Sequence, residues 1–487
     1  MEENKLIFEE AETADQSLSQ KRIEKDLKDD FEEEEKSGYP TMDNLLNKLG
    51  YTNYHLLVIF GCCSFFFSCG AQLYAFNLLI PVFNVLLKLN YTTHLIMNSI
   101  CYVGYAFGSF FVGLSTKYFN RRLPLLTCIT IYSIFTAVIV IYEDITWICI
   151  CRFITGACVG MITSLYLSNM SEYLPINMRE LTIGIVLCNY ILGIIFYIYC
   201  FKFIMPNYQK LEQWRLILLI IAIPSIASCI FAIFIVKDSP RLLLNKDKFP
   251  EAVSELRSLT RNTDVIFTLE DEDKLKREVI ACKAKNIEFS FSMLFSDKFR
   301  FLTIINLLLL LTTSMTYVSN FFSLPLILFK ESKHSSQMFD NIIMAQSFSI
   351  PAIIIAALIA GLPNLGRKYT IILGFIICFL VALYSSIFQK GLVIACSLIN
   401  FFIMVSYFLS KVYLIESFPS KLRDHGMSVI FVVARLGESL SPSICELSFK
   451  LYIFGPLVFI AGLALTGIIV AILIPFETRG EALDSKI

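Results

Sequence analysis

Charge is scarce in this chain. Only 17% of its 487 residues are Asp, Glu, Lys or Arg, 56% are hydrophobic, and the mean hydropathy is +0.66. A soluble protein of this size cannot hide so much apolar surface, which excludes a soluble enzyme or binding module. The formal net charge is zero, and no nucleic-acid partner is expected. Histidine is scarcer still, with four copies. The fifteen cysteines do not form zinc-ligand spacings, and Cys62, Cys63, Cys69, Cys128, Cys158, Cys229, Cys378 and Cys396 fall inside apolar runs, where a thiol acts as a small hydrophobe. Metal and thiol catalysis are excluded on this reading, and no cofactor is expected. No nucleophile–base arrangement, phosphate loop or Walker signature is present, so the chain reads as neither an enzyme nor an ATP-driven pump. A cleavable signal peptide is also lacking, because the first 36 residues are polar and acidic.

Long hydrophobic runs are plentiful. Twelve apolar segments, each of about 20 residues or more and so long enough to span a bilayer, occupy 55–80, 93–114, 123–142, 147–169, 181–204, 214–236, 299–328, 341–361, 369–388, 391–414, 427–449 and 454–475. In lipid they must be helices, because each backbone polar group has to be satisfied within its own segment. The expected fold is an all-α membrane protein of twelve transmembrane helices in two six-helix bundles, residues 55–236 and 299–475. Residues 1–40 read as an acidic, disordered cytoplasmic tail and 41–54 as an amphipathic leader helix. Residues 237–298 form a cytoplasmic loop with short amphipathic helices, one of them marked by Phe249, Ala252, Val253, Leu256 and Leu259, and 476–487 form a second tail. Residues 1–53 hold 15 acids against 7 bases, which makes the tail a candidate docking segment for a protein partner. The central loop carries 12 Lys and Arg and places both termini in the cytosol. The sequon at Asn90 then falls outside and is a glycosylation candidate.

The polar boundaries repeat. Glu172-Tyr-Leu-Pro-Ile-Asn-Met-Arg179 and Glu416-Ser-Phe-Pro-Ser-Lys-Leu-Arg423 share the pattern E-x-x-P-x-x-x-R, 244 residues apart. The basic loop ending in Arg121 and Arg122 is matched by Arg367 and Lys368, and Asp238-Ser-Pro-Arg by Glu477-Thr-Arg-Gly, at offsets of 246 and 239. Three polar pairs at one period indicate a duplicated half, a transporter pattern.

These motifs resemble the major facilitator superfamily over residues 40–487, with Arg152-Phe-x-x-Gly-x-x-x-Gly160 resembling its helix-4 signature. The clasp pairs resemble the sugar-porter and organic-ion branches. The leader Met42-Asp-Asn-Leu-Leu and the helix-11 run Val433-Ala-Arg-Leu-Gly437 are similar to the synaptic vesicle glycoprotein type 2-related proteins. The resemblance implies a secondary transporter of a small organic solute, facilitative or ion-coupled, that alternates access across the bilayer of a plasma or vesicle membrane. The alternative is a non-transporting receptor or vesicle regulator on the same scaffold. Two departures feed that alternative. Lys117 stands where the family has an aspartate in the first basic loop, and Cys69 and Gln72 stand where relatives often carry helix-1 acids. Pairing of Lys117 with Asp424 is expected to replace the lost contact.

The resemblance also implies a cytoplasmic gate built from Lys117, Arg121, Arg122, Glu172, Arg179, Asp238, Arg367, Lys368, Glu416, Arg423, Asp424 and Glu477. Carriers of this fold line their cavity with helices 1, 4, 7 and 10. The cavity candidates are Gln72, Tyr74, Asn77, Arg152, Tyr166, Tyr317, Asn320, Asn400, Tyr407 and Lys411. Charges inside apolar runs default to functional roles. Arg435 and Glu438 are read instead as a pair on their own helix.

Overall fold

The computed structural model describes residues 52–119, 121–174, 176–206, 211–236, 240–245, 248–260, 272–273, 275–276, 291–297, 299–331, 335–360, 366–389, 391–418 and 420–475. Every regular element among them is helical. The first half contains α1 (Asn53–Leu86), α2 (Tyr91–Tyr118), α3 (Arg122–Val138), α4 (Ile145–Tyr173), α5 (Ile176–Ile204) and α6 (Trp214–Ile235). The short helices α7 (Pro240–Asn245) and α8 (Phe249–Thr260) follow. The second half contains α9 (Arg300–Glu331), α10 (Ser335–Ser347), α11 (Ser349–Ala360), α12 (Arg367–Phe388), α13 (Leu392–Ser417), α14 (Ser420–Leu451) and α15 (Gly455–Ile472).

Among the described residues eleven helical spans are long and apolar enough to cross a membrane, and α3, with 17 residues, is a shorter apolar helix. The eighth span begins earlier than the apolar run suggests: α10 and α11 together cover it from Ser335, with a break at Phe348. Pro81, Pro325 and Pro442 lie inside α1, α9 and α14 without ending them. Neighbouring helices can satisfy the backbone groups that such prolines free. In α8, Ala252, Val253 and Leu256 are buried, which gives the expected apolar stripe. The acidic tail, most of the leader and most of the second half of the central loop lie outside the described residues.

Within the first half, small residues let the backbones touch. A Cβ on Gly108 would run into the Ala157 carbonyl, and one on Gly156 into the Cys101 carbonyl, so α2 and α4 pack backbone to backbone. The halves meet along two seams, α2 against α14 and α5 against α10 and α11. Because successive spans alternate in direction, the bundle has a proximal face, where α1 starts and α15 ends, and a distal face at the other end.

Candidate functional site

Between the halves lies a small cavity of about 40 Å³. Phe66, Cys69 and Leu73 of α1, Tyr102 and Tyr105 of α2, Thr163 of α4 and Tyr190 of α5 line one side. Tyr317 and Phe321 of α9, Tyr407 and Lys411 of α13, and Phe431, Arg435 and Glu438 of α14 line the other. Tyr317 and Tyr407 stack with centroids 5.2 Å apart and planes 16° from parallel, forming a flat wall.

Charge is concentrated on the second half. Arg435 Nη1 donates to both Glu438 oxygens, at 2.5 and 2.6 Å, and its guanidinium lies 4.1 Å from the centre of the Tyr105 ring across the seam. The expected pair on one helix is therefore present, and it also forms part of the cavity wall. Lys411 is only 6% exposed, and its Nζ lies 4.0 Å from the Tyr407 ring centre. It has no ion pair among the described residues. With Glu438 occupied by Arg435, the wall carries one uncompensated positive charge.

The other cavity candidates sit elsewhere. Gln72, Tyr74, Asn77, Arg152, Tyr166, Asn320 and Asn400 are not in the wall. Tyr74 of α1 packs edge-on against Phe321 of α9, at 4.4 Å, a further contact between the halves. Tyr166 packs on Phe65 within the first half, at 5.8 Å. Asn320 Nδ2 donates to Asn400 Oδ1 at 2.7 Å, and Asn400 Nδ2 donates to the Ala345 carbonyl at 3.1 Å. These amides tie α9, α13 and α10 together. Arg152 is 2% exposed, with its guanidinium 3.9 Å from the Phe76 ring centre. The sequence reading missed Tyr102, Tyr105 and Tyr190 because it confined the cavity to four helices. The i, i+3 tyrosines in the middle of α2 were the available signal.

Contacts between the halves lie on both the proximal and the distal side of the cavity. On the proximal side Ser428 Oγ donates to the carbonyls of Ser109 and Phe110, at 2.7 and 3.0 Å, and Gly184 of α5 packs on Ala357 and Ile353 of α11. On the distal side Lys202 Nζ lies 2.5 Å from Asp340 Oδ1, and Phe201 packs against Phe339. His94 Nδ1 lies 3.0 Å from Glu446 Oε2, and Lys450 Nζ lies 3.2 Å from the Tyr91 ring centre.

Of the gate candidates, Arg121 and Arg367 are buried, each 2% exposed, and Arg122 is exposed. Arg367 forms an ion pair with Glu416, which joins α12 to α13 within the second half. Lys368 Nζ donates to the Ile474 carbonyl at 2.7 Å. The side chains of Lys117, Glu172, Arg179, Arg423 and Asp424, and residues Asp238 and Glu477, lie outside the described residues, as does the expected Lys117–Asp424 contact. Asn90 is the N-cap of α2 at the distal face.

Comparison with known proteins fits this architecture. Residues 54–485 match the sugar (and other) transporter family. The chain is 25% identical over 404 residues to the niacin transporter NiaP of Acinetobacter baylyi, covering 80% of this chain and 86% of that one. It is 21% identical over 350 residues to human organic cation/carnitine transporter 2, covering 71% of this chain and 60% of the human protein, so it spans less than two thirds of that carrier. It is 21% identical over 419 residues to the rat synaptic vesicle 2-related protein, covering 80% of this chain and 72% of that one. In structure it is similar to the major facilitator superfamily proton:xylose symporter XylE bound to 6-bromo-6-deoxy-D-glucose, with a TM-score of 0.72 and 16% identity over 88% of this chain and 98% of that one. A partially occluded inward-open form of XylE from E. coli gives a TM-score of 0.64 at 15% identity, covering 88% of this chain and 100% of that one. These similarities supply nothing in favour of a non-transporting receptor. The chain belongs to the sugar (and other) transporter family and is a multi-pass membrane transporter of small organic solutes, not an enzyme.

Proposed function

We propose that the chain carries a small, ring-bearing organic anion by alternating access. The observation behind this reading is Lys411: a buried ammonium without an ion pair among the described residues, in a wall of stacked tyrosines. An unpaired charge in a low-dielectric site is stabilised by an opposite charge brought by the ligand. The flat Tyr317–Tyr407 face suits an aromatic ring. Similarity to a niacin transporter points the same way and supplies the probe, nicotinate. In a second reading the solute is a zwitterion: the tyrosine faces hold a cationic group while Lys411 holds the carboxylate, as a carnitine-like solute requires.

The test is uptake by the purified full chain in proteoliposomes, with labelled nicotinate, benzoate, carnitine and xylose. Nicotinate and benzoate should accumulate and compete with each other. Accumulation of carnitine alone would select the zwitterion reading, and accumulation of xylose alone would overturn both.

The basic residues at the proximal face support a cytoplasmic assignment for that side, which makes the distal face extracytoplasmic. Arg367, Glu416 and the clasp residues around them then gate the cytoplasmic exit, and the acidic tail at 1–40 is available there to a protein partner. Similarity to a synaptic vesicle 2-related protein favours a vesicle membrane, and the plasma membrane is the alternative. Localising the tagged chain in its own cell distinguishes the two.

A further inference from the structure

Arg152 is a cation without a counter-ion. It is 2% exposed, its Nε and Nη1 are buried without a hydrogen-bond partner, and it makes no ion pair among the described residues. Its guanidinium rests on the face of Phe76 of α1. The packing of α4 on α2, with Gly156 against the Cys101 carbonyl and Gly104 against the Phe153 carbonyl, places Arg152 in the stretch of α4 that meets α2 around Tyr102. Tyr102 lines the cavity. In the middle of the described spans the single acid is Glu438, and both of its oxygens are held by Arg435.

Leaving a guanidinium unpaired inside a membrane protein is costly, and such residues face a pathway or a partner. The face of Phe76 offers only weak compensation. The unpaired nitrogens point to an anion that is present in another stage of the cycle.

Depth supports this. At a rise of about 1.5 Å per residue, Arg152 lies about 10 Å below the distal end of α4, Arg435 about 24 Å below that of α14, and Lys411 about 28 Å below that of α13. These three of the buried cations therefore lie at increasing distance from the distal ends of their helices. We propose that Arg152 is a distal docking station for the anionic group of the solute, occupied when the distal side opens and vacated as the solute moves down to Lys411. The inference rests on the reading of the solute as an anion and adds a second site to it. The solute class it requires is a carboxylate, which the planar guanidinium fork can bind through two parallel hydrogen bonds.

The experiment uses the full chain in proteoliposomes, with labelled nicotinate as the charged probe and nicotinamide as its neutral isostere. Arg152→Gln should lower kcat/KM for nicotinate at least tenfold. Arg152→Lys, which keeps the charge but loses the fork, should lower it by at least about threefold but by less than Arg152→Gln. The concentration of nicotinamide that half-inhibits uptake should be unchanged in both. If nicotinate is taken up and Arg152→Gln leaves kcat/KM unaltered, the docking station is overturned while the anion reading stands. Equal losses for Gln and Lys, or a matching loss of nicotinamide inhibition, would show a purely structural cation and also overturn it. If the unaltered chain takes up neither nicotinate nor benzoate, the anion reading fails and the station falls with it. Should Arg152→Gln not fold, Phe76→Leu removes the ring that holds the guanidinium. It should lower kcat/KM for nicotinate alone, and an equal effect on nicotinamide inhibition would count against the station.

Discussion

Glu438 is both half of a buried ion pair and part of the cavity wall. Both of its oxygens accept from Arg435 Nη1, and the pair is buried in the cavity wall. Removing one partner leaves a buried charge, so Glu438→Gln should destabilise the folded chain by about 3–5 kcal/mol, read as a lower unfolding midpoint in detergent. Replacing both partners with apolar residues, Arg435→Met with Glu438→Leu, should restore most of that stability. If the double variant is as unstable as the single one, the pair is not an isolated unit. Lys411→Gln should reduce nicotinate uptake at least tenfold, with Lys411→Arg retaining part of it; full activity of the Gln variant would remove the basis of the anion reading. At this scale the sequence was informative about charges and poor on aromatics. A buried charge is rare enough to be noticed wherever it falls, as Lys411 and Arg435 were. Tyrosine occurs 22 times, and which tyrosines face the cavity is decided by helix rotation, which no local pattern encodes. Tyr74 and Tyr166 were chosen by position along their helices, and rotation turned both into packing residues.

At the scale of elements, lipid makes the spans legible because every apolar run must become a helix. Their ends are harder to read. α1 runs to Leu86, beyond an apolar run read as ending at 80, and α14 begins at Ser420 rather than 427, since helices continue into polar residues at the membrane boundary. The break at Phe348 gave no warning in composition. The close approach of α2 and α4 at their glycines sets a clear prediction. Gly108→Leu forces a side chain into the Ala157 backbone and should cost about 1–3 kcal/mol or more, or abolish expression of folded protein. Gly462→Leu in α15, where a Cβ meets nothing within 4 Å, should be tolerated, and both are read by size-exclusion profile and unfolding temperature. Equal tolerance at the two sites would mean that α2 and α4 can separate without penalty.

For the whole molecule, the two halves were visible as a repeated clasp, but the seams were not, because they join residues far apart in sequence. Lys202 and Asp340 are 30% and 56% exposed, so their ion pair is worth about 1 kcal/mol at most, enough to shift the balance between states by a factor of about five. Lys202→Asp should speed labelling of Cys69 in the cavity by a membrane-impermeant thiol reagent from the distal side by a few-fold, measured against a Cys69→Ala control. The exchange Lys202→Asp with Asp340→Lys should return it to the original rate; no return would mean that the pair is not a latch. The distal closure uses exposed charges, whereas the described proximal contact at Ser428 is a hydroxyl bonded to backbone carbonyls. Mobile ions screen the first kind of contact and leave the second almost untouched. Ionic strength on the distal side thus becomes a directional control: concentrated salt should favour the state that accepts solute from that side, so a change in the surrounding medium could bias the cycle without any ligand binding.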